Sequence, residues 1–490
     1  ATALAGAAYV ARQDAERRRE QAEDLLGFLV DDMQERLAPL GRLDVLETVL
    51  DKTMDYFAGL GQRDVTDTAL ARQAQALVRI GVVRTTQGRY AEALDSFRRG
   101  YEKSAALVSR NPGNGQYLFD RGQAEYWTGY IHWREKQLDE AQVWFERYRD
   151  TSLELLALDP TNTDWITESV YGYHNLAVLE LQRGRLEESD QMFESEAVIL
   201  EGLLQSDPDN ATLRYDLSDA ISWRGSIATR LGEFGRAEEL YQASVDLLEY
   251  LVEQSPGNKE YLHRLVVARG FIAGNLAITG RVSDSRSIYE RDLEIHRDLV
   301  RHDPENKDWL QSLMVNEYRL ARVLLAEGDV SGARTLAADA LRNLEPLQAR
   351  KGGDPIFVGH KVRCFGINSR LALEEGGVPE ARRLMTEALE TATEMQAQNP
   401  DKDSSLAMLV TARVLEGDLK RATGDVPAAH AAWREAVRLL EPAIASSNDY
   451  ALLDPWIRSL ISLGEIERAA PFIHRLEATG YRPLEPWPGT

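Results

Sequence analysis

The sequence predicts an all-α solenoid of antiparallel helix pairs, and three observations carry that prediction. Pro-x-Asn recurs as Pro112-Gly-Asn114, Pro160-Thr-Asn162, Pro208-Asp-Asn210, Pro256-Gly-Asn258 and Pro304-Glu-Asn306, a step of 48 residues each time, with Pro400 two steps further on. Glycine recurs on the same step at 88, 184, 232, 280, 328, 376 and 424, with Lys136 in the one remaining place. Seven residues before each of these positions the side chain is small, and nine residues after it is usually large. Such a period means one supersecondary unit stacked along the chain, each copy contacting its neighbours.

Each part of the unit has a physical role. Proline ends the incoming helix because it cannot donate to the hydrogen-bond ladder. Asparagine caps the next helix. A large residue three positions after it, Tyr117, Trp165, Leu213, Tyr261 or Trp309, covers the junction. The glycine gives the left-handed backbone that closes one helix and opens its partner, so the turn at Lys136 is expected to be strained or differently shaped. Small residues five after the glycine (Ala93, Ala141, Ser189, Ala237, Ser285, Ala333, Ala381, Ala429) and seven before it (Gly81, Gly129, Ala177, Gly225, Ala273, Ala321, Ser369, Gly417) suit close helix crossings. The large residue nine after it (Phe97, Phe145, Phe193, Tyr241, Tyr289, Met385 and Trp433, with Ala337 the exception) shares a face with the small one four before it and is read as a core knob.

The ends depart from the pattern. Residues 1–11 are apolar and small and precede Arg12, Arg17, Arg18 and Arg19. They are too short to span a bilayer. Two readings stand: the inner end of a transmembrane helix with its cytoplasmic arginines, hence a membrane tether through a segment upstream of Ala1, or an exposed Ala-rich helix start or processed leader. A first residue other than methionine leads to the expectation that something upstream was removed. Residues 1–20 are assigned to a juxtamembrane-like helical linker. Residues 21–66 are assigned to an N-terminal capping hairpin, whose Gly41 lies 47 residues before Gly88. The solenoid of about eight full pairs occupies 67–448, although Lys351-Gly-Gly-Asp-Pro355 replaces the sixth connector. A shortened helix pair around Gly464 and a Pro-rich tail fill 449–490, the tail expected to pack loosely or extend.

Composition excludes some functions. With 43% hydrophobic and 28% charged residues among 490, the chain is not a disordered one. A net charge of −22 opposes binding of nucleic acid. The single cysteine, Cys364, permits no internal disulfide, which fits the cytosol. Phosphate-cradling loops, nucleophile elbows and His-Glu-x-x-His are all missing, and no cofactor is implied. His360 and Cys364 are four apart on one helix face and would suit a metal or a thiolate. Cys364, however, falls in a column of small residues (Ala76, Ala124, Gly172, Ala220, Ala268, Asn316, Ala412), which makes it a packing residue. Acidic pairs such as Asp31-Asp32 and Glu187-Glu188 read as solvated helix faces.

The small–Gly–small–aromatic grammar resembles that of the tetratricopeptide repeat over roughly residues 67–480, with a unit of 48 residues in place of the usual ~34. The added length implies helices of about 20 residues, about 30 Å long. The resemblance implies a right-handed superhelix whose first helices line a concave groove. Counting back ten, six, three and two residues from the glycines then gives candidate groove residues: Tyr126, Tyr130, Trp133 and Arg134; His174 and Gln182; Tyr318 and Arg322; Arg370; Arg421. Aromatics and arginines are typical of binding hot spots, and groove arginines would suit an acidic peptide. Packing between repeats is an equally open reading for Tyr126 and Tyr130. Gly270, Gly274 and Ala277 would leave a bare patch or a tighter curve.

The Asp-Pro-x-Asn connectors at Asp159, Asp207 and Asp303, with the entry segment 23–46, are similar to those of C-terminal sensor arrays in bacterial signalling proteins. That implies a cytoplasmic interaction or scaffold module, at the inner membrane face if tethered, with a protein or peptide partner. The alternatives are a regulator that changes superhelix pitch on binding a peptide or small molecule and, least favoured, an enzyme.

Overall fold

The computed structural model describes residue 52 and residues 66–347, 355–399, 403–445 and 447–489. The predicted linker, the N-terminal hairpin and the 351–354 connector lie outside these residues, residue 52 apart. Among the described residues the chain is helical, the helices following one another in packed pairs. The pairs are α1 Asp67–Thr86 with α2 Tyr90–Arg110, α3 Gly115–Arg134 with α4 Leu138–Leu158, and α5 Thr163–Gln182 with α6 Leu186–Ser206. Next come α7 Ala211–Leu231 with α8 Phe234–Gln254, α9 Lys259–Ile278 with α10 Val282–His302, and α11 Lys307–Ala326 with α12 Val330–Leu344. The last three are α13 Pro355–Glu374 with α14 Val378–Gln398, α15 Asp403–Ala422 with α16 Val426–Leu440, and α17 Tyr450–Ser462 with α18 Ile466–Ala478. Most run 20 or 21 residues, as the 48-residue step requires.

The connectors work as their composition implies. The side chains of Asn114, Asn162, Asn210, Asn258 and Asn306 each accept the backbone N–H three residues on, at 3.1–3.2 Å. The turns share one geometry. In each, the residue after the glycine donates its N–H to the carbonyl five residues back, as Arg89 does to Arg84 and Glu233 to Ala228, both at 2.9 Å. The glycines have φ between +74° and +87°. Lys136 adopts the same conformation, with φ 61°. Its turn is therefore strained rather than reshaped, at a cost of about 1 kcal/mol.

Packing inside a pair rests on one lock. In four pairs the aromatic residue nine after the turn lays its ring on a glycine seven before it. A Cβ added to Gly417 would lie 2.3 Å from Trp433, one on Gly81 2.3 Å from Phe97, one on Gly225 2.6 Å from Tyr241, and one on Gly129 2.7 Å from Phe145. The rings are buried: Phe97 and Phe193 are fully enclosed, and Trp433 is 1% exposed.

The chain divides into two compact units, Ala1–Leu179 and Glu180–Thr490, the boundary falling inside α5. In the first, α1 packs on α2 and on α3, and α3 on α4. In the second, first helices of successive pairs touch one another, α9 with α11, α11 with α13, α13 with α15 and α15 with α17, whereas successive second helices make no comparable contact among the described residues. The first helices therefore line the inside of this unit's curve.

The second unit also closes on itself, which a solenoid of neighbour-only contacts would not do. Arg230, at the end of α7, reaches Asp449 at 3.4 Å and Asp403 at 3.7 Å. Phe234 meets Tyr450 edge to face, ring centroids 6.1 Å apart, and both join the core of the last helix pairs. The tail is not helical and is not loosely packed: Tyr481 is 4% exposed and Trp487 5%.

The lock separates two glycines that sequence alone treats alike. Gly417→Ala forces a methyl into the Trp433 indole and is expected to destabilise the chain by about 1–3 kcal/mol. Gly274 lies one position off the lock, and its nearest neighbour would be Tyr289 Oη at 3.6 Å. Gly274→Ala is therefore expected to be neutral, or to stabilise by up to about 1 kcal/mol through helix propensity. Urea unfolding midpoints compare them, and equal losses would contradict the lock.

Candidate functional site

One residue separates packing from the concave face. The positions seven before each turn are buried in every pair, from Gly81 to Gly417, and the next positions are half-buried: Val82, Tyr130, Val178, Ser226, Gly274, Arg322, Arg370 and Asp418. In the second unit this next position carries charge on three successive first helices, α11, α13 and α15.

Beside this row lies a cleft of about 410 Å³ between α9 and α11, closed at one end by His360 of α13. The bare backbone at Gly270 helps open it. The Gly270 carbonyl accepts from Tyr289 Oη at 3.3 Å and from Arg319 Nη1 at 3.5 Å. Val267, Phe271 and Val315 supply an apolar wall, and Arg264 and Arg319 supply positive charge. His263 and His296 are both held below the usual histidine range, mainly by burial, and His296 is pushed down to about 3. At neutral pH the two rings are therefore uncharged. Their Nδ1 atoms, Trp309 Nε1 and Asn316 Oδ1 are buried without a partner, so this wall of the cleft holds unspent hydrogen-bonding capacity.

His263 Nε2 lies 2.8 Å from Ser312 Oγ, the spacing of a nucleophile and its base. The geometry goes no further. With Nε2 accepting from the serine, Nδ1 carries the proton, and nothing receives it. An acyl-transfer triad needs an acid there to hold the ring and stabilise its cation.

Beyond the cleft, the tail crosses the inner face. Arg482 N–H donates to the Ile278 carbonyl at 2.7 Å. Tyr481 packs between Phe234 and Tyr450, with ring centroids 6.4 and 5.6 Å away. Glu485 pairs with Arg370. Arg458, tied to Asp454 at 2.6 Å, donates to the carbonyls of Glu485 and Pro486, and Trp487 Nε1 donates to Asp454 at 2.8 Å. Desolvation would raise the Glu485 carboxyl, but Arg370, Arg322 and Arg458 outweigh it and hold the group below the usual carboxylate range.

The sequence-chosen residues separate into different surroundings. Tyr126, Tyr130 and Trp133 stand in one aromatic ladder with Trp127. Tyr126 also meets Tyr148 at 5.5 Å and Phe145 at 6.4 Å across its own pair. Arg134 is exposed and donates to Tyr90 Oη at 3.1 Å. His174 and Gln182 are half-buried on α5. Tyr318 is 1% exposed, and its hydroxyl meets His360 Nδ1 at 2.8 Å. Arg421 lies over the Trp433 indole at 5.2 Å. Arg322 and Arg370 face the tail. Sequence reasoning missed Arg319, Arg458, Glu485 and Trp487. The last two lie outside the repeat, and Arg458 belongs to its shortened copy.

Other titratable groups belong to the architecture. Glu125 and Glu317 are both 2% exposed, and burial raises each carboxyl to about 7. They occupy one repeat position, eleven before the turn, and each meets the residue fifteen after it. Thr151 donates to Glu125 at 2.6 Å and Asn343 to Glu317 at 2.8 Å. Cys364 is fully buried, its thiol pushed up to about 12, chiefly by burial. Among the described residues no three His, Cys, Asp or Glu side chains gather to hold a metal, and no helix is long and apolar enough to cross a membrane.

No protein-family model matches the chain, and no curated protein does. Similar solved structures include the apo form of RapI, at 10% identity and a TM-score of 0.48, covering 83% of this chain and 97% of that one. The apo form of the quorum sensor NprR from B. thuringiensis shows 12% identity and a TM-score of 0.47, covering 81% and 99%. A Rap protein complexed with competence and sporulation factor shows 15% identity and a TM-score of 0.45, covering 80% and 96%.

Glu317 gives a pH dependence of defined sign. Its folded-state carboxyl titrates near 7 against an ordinary 4.5, so between those values the folded chain holds a proton that the unfolded chain has lost. Stability therefore falls as pH rises through this window. Glu317→Gln keeps the acceptor for Asn343 and removes the charge. The variant is expected to match the wild type near pH 4 and to exceed it by about 1–3 kcal/mol at pH 8. Thermal unfolding across this range measures the difference, and a gap independent of pH would contradict the assignment.

Proposed function

We propose that the chain is a peptide- or protein-binding repeat scaffold that serves as a sensor or interaction module, and that it binds on the concave side of α9, α11, α13 and α15. The observation that carries this reading is the concentration of guanidinium groups there. Arg319, Arg322 and Arg370 stand on the inner face in a chain whose net charge is −22. An extended partner bearing carboxylates complements that face, and charge complementarity of this kind favours encounter and register. The open cleft between α9 and α11 offers the partner an apolar wall and unspent hydrogen-bonding groups.

A regulator that senses a small ligand is a second reading, favoured by the cleft volume of about 410 Å³. That lies within the range of small-molecule sites, about 300–1,000 Å³. In either reading the protein binds and does not catalyse.

Panning a library of random twelve-residue peptides on the chain tests the first reading. The expected outcome is enrichment of acidic peptides whose binding weakens about tenfold or more in Val315→Trp, which fills the cleft, and at high salt. Enriched peptides indifferent to Val315→Trp, or failure to enrich any, would contradict it.

A further inference from the structure

The chain's own tail occupies the inner face like a bound peptide. Residues 481–487 are not helical, with a bridge at Arg482 and a bend at Leu484–Glu485, and Pro483, Pro486 and Pro488 disfavour a helix before any contact is made. The segment's backbone donates from Arg482 to the Ile278 carbonyl and accepts from Arg458 at Glu485 and Pro486. Its side chains then divide the work of a ligand. Tyr481 enters an aromatic pocket between Phe234 and Tyr450. Leu484 packs against the main core. Glu485 meets Arg370, with Arg322 and Arg458 adding to the positive potential. Trp487 is buried and donates to Asp454.

These contacts fall on the rows that face the inside of the curve. Ile278 is two before its turn, and Arg322 and Arg370 are each six before theirs. Arg458 is likewise six before Gly464. Three of the residues that hold the tail, Arg322, Arg370 and Arg458, thus share one repeated position, whereas Phe234, Tyr450 and Asp454 lie off that row.

We infer that this part of the inner face is a peptide site whose resident occupant is the chain's own tail. The site takes a non-helical segment of the form aromatic-x-x-x-acidic-x-aromatic, and a segment of that chemistry from a partner protein binds by replacing residues 481–487. The inference rests on the concave face being a peptide-binding face, and it adds the ligand's pattern and its built-in competitor. Because the tethered tail competes at high effective concentration, a partner must bind more tightly than an open site would require.

The test uses the full chain and a fluorescein-labelled peptide with the sequence of residues 479–490, read by fluorescence anisotropy. Wild type is expected to bind it weakly. Glu485→Arg opposes Arg370 and loosens the tail while leaving the site intact, so it is expected to bind the peptide about tenfold or more tightly than wild type. Combining Glu485→Arg with Arg370→Glu removes the site's cation and rebuilds the pair in reverse, which is expected to return binding to the wild-type level or below. Hydrogen exchange of the 482 and 487 amides reports tail release directly, and thermal unfolding confirms that each variant is folded.

A folded Glu485→Arg chain with a released tail and no gain in peptide affinity would overturn the inference. So would a gain that persists in the double variant, or one accompanied by dimers on gel filtration, which would mean exchange of tails between copies. These outcomes are distinct from failure of the broader reading. That failure appears at the α9–α11 cleft through Val315→Trp, whereas this one appears at Arg370 and Glu485.

Discussion

The rest of the structure depends on a ring laid against bare backbone. In four of the pairs the ring nine after the turn rests on a glycine seven before it, and no methyl fits between Trp433 and Gly417 or between Phe97 and Gly81. This contact fixes the rotation of the first helix about its axis. With that rotation fixed, the next residue along is turned away from the pair's own core, and a half-buried position follows each buried one from Gly81 to Asp418. Arg322 and Arg370 take the same half-buried place, each following a buried small residue, Ala321 and Ser369.

Much of this was legible in the sequence, because a repeat averages over its own exceptions. The Pro-x-Asn caps, the left-handed turns and the small–large columns are each dictated by local chemistry, and each recurs often enough to be read. The same columns explain why Glu125 and Glu317, with carboxyls raised to about 7, belong to packing and not to an acid–base site. They also carry Arg322 and Arg370 to the inner face. Tyr318 and Tyr126, chosen by the same count, stand against neighbouring helices instead, Tyr318 against His360 of the next pair and Tyr126 against Phe145 and Tyr148 of its own.

The closure of the second unit was not legible. Arg230 and Asp449 are 219 residues apart, and the tail has no counterpart elsewhere in the chain. Periodicity is silent about residues that occur once. A proline-rich terminus reads as a disordered end unless the surface that receives it is already known. Once the inner row of cations is in view, the tail's composition acquires a meaning: an acid flanked by aromatics, stiffened by prolines, complements that surface. The division at α5 was likewise invisible, since the 48-residue step runs through it unchanged.

The central claim is that one residue step on each first helix divides architecture from binding face. A thiol-labelling scan tests it most directly, because the native Cys364 is buried and silent. Cysteines placed singly at positions 273, 321 and 369 are expected to resist labelling in the folded chain. Those at 226 and 274 are expected to react at rates typical of half-exposed thiols, and one at 370 to do so once the tail is displaced. Equal labelling of the two sets would show that the lock does not set the helix rotation.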